Sequence, residues 1–142
     1  LISEEAITFS KLEIAEKQLD QALLLLFDHN DYICAVTLAG ASEEILGKLL
    51  EENGEKHALN ELIETCVAVS KQGFGEEWNE KDIVKRANHF RNGFKHYTDG
   101  NPITVNREAT RDIIDRAICN YFALTGMESK LMERFKNVML EE

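Results

Sequence analysis

Apolar positions recur at steps of three and four along most of this chain. Leu12, Ala15, Leu19, Ala22 and Leu26 form one stripe, widened by Leu23 and Phe27, and such spacing predicts an amphipathic helix. The helix is expected over about Ser3 to His29. Ser3 would be its N-cap, with Glu4 and Glu5 in the first turn, where the helix dipole favours acids. Asp28-His29-Asn30-Asp31 breaks the pattern, and Asp31 is placed to cap a second helix over about Tyr32 to Glu52. Ile33, Cys34, Ala35, Val36, Leu38 and Ala39 make its first half apolar nearly all round, which marks a central helix. Ala35, Ala39, Gly40 and Gly47 are small enough to let a neighbouring backbone approach. Glu43 and Glu44 follow. An inward carboxylate there would need a cationic partner, and at least one of the two is expected to face solvent. Gly54 suits the left-handed residue that closes a helix.

A third helix is expected over about Ala58 to Lys71, carrying Leu59, Leu62, Ile63, Cys66, Val67 and Val69. Gly73 and Gly75 bracket Phe74, and Trp78 follows. Asn79 with Asp82 resembles a capping box, so a fourth helix starts near Glu80 and runs to about Tyr97. Thr98-Asp99-Gly100-Asn101-Pro102 stops it. Ile103, Thr104 and Val105 look extended but are too short to form a sheet. Asn106 caps a fifth helix, about Arg107 to Thr125, with Ile113, Ile114, Ala117, Ile118, Tyr121 and Phe122 as its apolar stripe and Gly126 at its end. A last helix over about Glu128 to Leu140 carries Leu131, Met132, Phe135, Val138 and Met139. Short joints and no convincing strand predict an all-α antiparallel bundle of five to six helices in one domain over residues 1–142.

Composition narrows the functional classes. The 142 residues are 44% apolar and 30% charged, an ordinary globular balance that argues against disorder. The net charge of −10 disfavours sequence-blind nucleic-acid binding over the whole surface, although it leaves room for one basic groove. The three cysteines, Cys34, Cys66 and Cys119, are far apart and form no Cys-x-x-Cys pair, so reduced thiols in a cytoplasm are expected, and the thiols read as small core residues. No apolar run approaches the roughly 18 residues of a membrane span, and no basic-then-apolar signal segment opens the sequence. The sequence has no phosphate-binding Gly-x4-Gly-Lys-Ser/Thr loop, no His-Glu-x-x-His zinc motif and no Glu-x-x-His pair for a di-iron bundle. No metal or other cofactor is therefore called for.

One stretch departs from the acidic background. Between Lys85 and Tyr97 the chain carries Lys85, Arg86, Arg91 and Lys95 and no acid. On a continuous helix turning about 100° per residue, Lys85, His89, Asn92 and His96 share one stripe. Ile83, Ala87, Phe90, Phe94 and Tyr97 fall on the opposite, core-facing side, and Arg91 and Lys95 flank the polar stripe. The run Arg91-Asn92-Gly93-Phe94-Lys95-His96, late in an all-helical chain, resembles the Arg-polar-x3-His motif of the HEPN superfamily. The long antiparallel helices and the small-residue second helix extend the resemblance to the whole architecture.

The resemblance implies a metal-independent endoribonuclease acting at a homodimer interface made by the fourth helix. Two Arg91 and two His96 would then line one composite cleft. His96 would serve as general base on a ribose 2′-OH, or as acid toward the leaving oxygen; an imidazole suits both tasks. Arg91 would hold the phosphate and stabilise developing charge, and Asn92 would orient the phosphate or His96. Lys95, His89 and Lys85 would bind substrate. A toxin–antitoxin or phage-defence setting follows from the family alone, with an antitoxin or other protein as a further partner. In the toxin branch a Tyr often follows the His after one residue; here Tyr97 follows directly, so that role is not carried over. The family also implies an alternative, a non-catalytic module that binds a nucleotide, RNA or protein through the same groove.

The residues also allow quieter readings. Arg91 can pair with Glu43, Glu44 or another acid, and His96 can cap the helix C-terminus. Gly93 costs on the order of 1 kcal/mol relative to Ala in mid-helix and marks close approach, either of RNA and a partner helix or of the same subunit. His29 and His57 sit at helix joints as surface or capping residues. Phe74 and Trp78 can stack a base, although a lone Trp beside a Gly-rich turn more often anchors the loop.

Overall fold

The computed structural model describes residues 5–73 and 78–141. Among these it is all-helical, with α1 (Lys11–His29), α2 (Tyr32–Glu52), α3 (Ala58–Gly73), α4 (Glu80–Ala87), α5 (His89–Lys95), α6 (Arg107–Thr125) and α7 (Lys130–Glu141). The capping residues account for most boundaries. Asp31 accepts the Cys34 N–H at 3.0 Å, and that bond holds the Asp31 carboxyl below its usual range. Asn79 accepts from Asp82 N–H at 2.9 Å and Asn106 from Ala109 N–H at 2.8 Å. Gly54 and Gly126 take the left-handed conformation, φ 73° and 67°, at the ends of α2 and α6, where a side chain would be strained.

The N-terminus begins later than the pattern suggests. Ser10 opens α1 through a capping box: its hydroxyl accepts the Glu13 N–H at 3.0 Å while its own N–H reaches Glu13 at 3.4 Å. That reciprocal pair satisfies two otherwise orphaned donors, and residues 5–10 are non-helical. The expected cap Ser3 lies outside the described residues, as does Phe74.

The core lies between α1, α2, α6 and α7. Leu19 and Leu23, Val36 and Leu46, Ile113 and Ile114, and Met132 and Phe135 are all essentially inaccessible. α2 is central, packing on α1, α6 and α5. Polar cross-links tie the helices: Ser42 Oγ donates to the Ala15 carbonyl at 2.7 Å, Tyr121 OH to Glu16 at 3.0 Å and Ser129 Oγ to Asp20 at 2.7 Å. Burial, reinforced by Glu16, pushes the Tyr121 hydroxyl up.

Several side chains sit differently from the helical projection. Cys34 and Cys119 are exposed and Cys66 is half-buried. Cys34 lies in the first turn of α2, ahead of the buried face that starts at Ala35. Phe122 is exposed because the buried face of α6 includes three polar positions, Thr110, Arg116 and Asn120, and turns away from it. The Ile103-Thr104-Val105 stretch remains loop. No helix among the described residues is long and apolar enough to cross a membrane.

The expected fourth helix is two helices. It breaks at Asn88, whose φ −104°, ψ 6° lies in the sparsely populated bridge region. Asn88 N–H still bonds to Val84 O at 3.0 Å, and Asn92 N–H to Asn88 O at 2.9 Å. The carbonyl of Ala87 instead accepts from the Arg116 guanidinium at 3.0 Å. α5 ends at Lys95; His96 is extended, φ −122°, ψ 142°. Tyr97 therefore does not follow the helical projection to the core but is 87% exposed.

Candidate functional site

The site is built around a buried ion pair that joins α2 to α6. Glu43 is only 4% exposed and Arg116 8%. Arg116 Nε donates to one carboxylate oxygen at 2.9 Å and Nη2 to the other at 3.1 Å, the fork geometry that suits a guanidinium. Of the two glutamates, Glu43 turns inward and Glu44 is exposed. The cation that meets Glu43 is Arg116, not Arg91. Asn120 closes the arrangement: its Oδ1 accepts the Ala58 N–H at 2.7 Å, capping α3 from across the bundle, and its Nδ2 reaches the Glu43 carbonyl at 3.4 Å.

With Glu43 satisfied, Arg91 makes no ion pair or hydrogen bond through its guanidinium among the described residues. Its stem lies directly over Gly40. A Cβ at position 40 would fall 2.4 Å from Arg91 Cγ and 2.5 Å from Cδ, so α2 needs glycine there to seat the arginine. Arg91 lines a cavity of about 210 Å³ with Glu44, Lys48, Glu51, His57 and Asn120. His57 is a capping residue: Nδ1 accepts the Asn60 N–H at 3.3 Å, which leaves Nε2 to donate to Glu51 at 2.9 Å. That bond, with Lys48 adding, holds the Glu51 carboxyl below its usual range.

The other sequence-derived candidates lie on one short segment but outside this cavity. Lys85 on α4, His89, Asn92 and Lys95 on α5, and His96 just past its end are all exposed. The break at Asn88 divides Lys85 from the rest. Phe90 and Phe94 pack on the core cluster as the inner side of α5, and His89 contacts Phe90 edge-on at 5.0 Å. Gly93 approaches Ile103 of its own chain, where an added Cβ would meet Ile103 Cδ1 at 2.4 Å. A second cavity, of about 260 Å³, opens between α3, α4 and α6, with Trp78 and Arg86 among its lining residues. The Arg86 guanidinium sits 5.9 Å from the Trp78 ring centroid. The Trp78 backbone N–H donates to Ser70 Oγ at 3.2 Å, which ties the residue to α3.

Arg116 is the residue that the apolar pattern of α6 concealed. It occupies a core-facing position between Ile113 and Ala117, but Asp112, Asp115 and Asn120 around it and Arg107 and Arg111 earlier in the helix make it read as one more surface charge, so the sequence carried no clear signal for it. No group of three or more His, Cys, Asp or Glu among the described residues is placed to hold a metal ion. No family model matches the chain, and neither the curated proteins nor the solved structures contain a significant match to it.

Proposed function

We propose that the chain is a HEPN-like endoribonuclease that cuts RNA without a metal at a site two copies build together through α5. Arg91 binds the scissile phosphate. His96 takes the proton from the 2′-OH as its oxygen bonds to phosphorus, and the partner's His96 delivers a proton to the departing 5′ oxygen. The products are a 2′,3′-cyclic phosphate and a 5′-hydroxyl. Asn92 and Lys95 steady the phosphate, and His89 and Lys85 extend the cationic track. The observation that carries this reading is the division of labour between two arginines. Arg116 neutralises the buried carboxylate of Glu43, so the guanidinium of Arg91 remains available for an anion. The exposure of Asn92, Lys95 and His96 supports it.

A second reading has its own support. Arg91 lines the cavity it shares with Glu44, Lys48, Glu51, His57 and Asn120, while His96 stands outside the helix. A module that grips a phosphate with Arg91 and cuts nothing accounts for that divergence. The experiment is RNA incubation in chelator, with end-group analysis and sedimentation. Cleavage that leaves cyclic phosphate ends, needs a dimer and vanishes in both His96→Ala and Arg91→Ala upholds the first reading. RNA that stays intact but binds, with only Arg91→Ala weakening it, upholds the second.

A further inference from the structure

The cavity between α3, α4 and α6 has the makings of a base pocket. Its walls are apolar, from Leu62, Ile83 and Phe90, and Trp78 and Arg86 contribute a flat, cationic edge. At about 260 Å³ it falls just below the roughly 300–1,000 Å³ that drug-sized ligands fill, which suits one planar ring system rather than a whole nucleotide. Two polar groups in its lining are unspent. Arg116 uses Nε and Nη2 on Glu43 and Ala87, and its Nη1 makes no hydrogen bond among the described residues and is not itself enclosed. The Asp112 carboxylate likewise has no hydrogen-bond partner among them. Asp112 itself is exposed at the rim of the cavity; burial pushes its carboxyl up and the nearby Arg116 cation opposes this, so the two groups already feel one another.

An apolar slot with an aromatic face, one carboxylate and one guanidinium N–H is complementary to a particular ring edge. Guanine presents N1–H and N2–H donors beside the O6 acceptor. A carboxylate takes the first two and a guanidinium N–H serves the third. Adenine offers a single amino group with no neighbouring oxygen, and uracil and cytosine each lack the paired donors. We propose that this cavity binds a guanine base, with Asp112 reading N1–H and N2–H, Arg116 Nη1 donating to O6, and Trp78 stacking on the ring. It extends the RNA reading by naming the base, yet binding of a free nucleoside does not require cleavage.

The test uses the chain's single tryptophan. Guanosine, inosine, adenosine, cytidine and uridine are titrated against the whole protein, read by Trp78 fluorescence excited at its red edge and by calorimetry. Guanosine should bind saturably, and inosine, which lacks the N2 amino group, should bind on the order of tenfold more weakly, the discrimination one two-point base contact supplies. Asp112→Asn should lose a similar factor, and Ala109→Leu, which fills the slot without touching a polar group, should abolish binding; circular dichroism checks that both fold. No saturable guanosine signal, equal affinity for all five nucleosides, or unchanged affinity in a folded Asp112→Asn overturns the proposal. Guanosine binding without RNA cleavage defeats only the nuclease reading, and cleavage with no guanosine binding defeats only this one.

Discussion

Replacing Arg116 with methionine strands a carboxylate. Glu43 would keep its buried position while losing two charge-assisted bonds of 2.9 and 3.1 Å, and the Ala87 carbonyl would lose its 3.0 Å donor. Breaking one side of a buried pair costs about 3–5 kcal/mol, because the surviving charge must be desolvated alone. In a chain of 142 residues each kcal/mol moves the melting temperature by about 3 °C, so the fall should be about 10–15 °C. Thermal melts and urea titrations of Arg116→Met, Glu43→Leu and the double variant measure it. The double variant should recover most of the loss, since two apolar side chains of similar bulk leave no charge behind. A single-variant loss within about 0.5 kcal/mol, the range of an ordinary surface change, would refute the reasoning. A double variant as unstable as the sum of the singles would refute it too.

Three further outcomes are expected. Asn120→Ala leaves the Ala58 N–H without its 2.7 Å acceptor and should cost about 1–3 kcal/mol, read by urea unfolding; a neutral change would show that water replaces it freely. Gly40→Ala should leave stability within about 1 kcal/mol, because helix propensity favours alanine by that amount, yet displace Arg91 from its seat, where a new Cβ meets Cγ at 2.4 Å. RNA binding should then fall while the melt barely moves, and unchanged binding would remove Arg91 from the site. Asp115 is held above its ordinary value of 3.8 by burial, against the pull of Arg116 and Lys136. The fold thus binds its proton more tightly than the unfolded chain does. Its contribution is present below that ordinary value and is lost as pH rises through the raised one. Asp115→Asn should be more stable than the parent at neutral pH, with the difference shrinking in acid; a pH-independent difference would contradict this.

What the sequence disclosed was local. Asp31, Asn79 and Asn106 cap helices through bonds to residues three positions away, and Gly54 and Gly126 end them by their own backbone freedom, so a short window holds the information. The extents of α2 and α6 were legible for that reason. The Asn88 break was not, because its cause is distant: the Ala87 carbonyl is drawn off by Arg116, 29 residues along the chain. Glu43 could be marked as a carboxylate in want of a cation, but the choice of Arg116 over Arg91 depends on which side of α2 each neighbour packs. Tyr97 shows the complementary error, since a helical wheel has no meaning past Lys95. Of the candidate chemistry, the adjacency of Arg91, Asn92, Lys95 and His96 along the chain was plain, but not that Arg91 lines a cavity which the other three lie outside. Nor was the seat of Arg91 on Gly40, since it spans two helices far apart in sequence.

The break at Asn88 also divides the molecule by its resistance to opening. α5 has seven residues, none of them buried, and is held mainly by the partly buried Phe90 and Phe94 and by the Arg91 stem on Gly40. Little apolar surface is lost if it lifts away, while α1, α2, α6 and α7 keep their core intact. Segments so constituted open at a fraction of the global unfolding free energy. Amides of residues 89–96 should exchange with solvent long before those of α2, and a copy of the chain or an RNA strand that clamps α5 would show itself first as slowed exchange there.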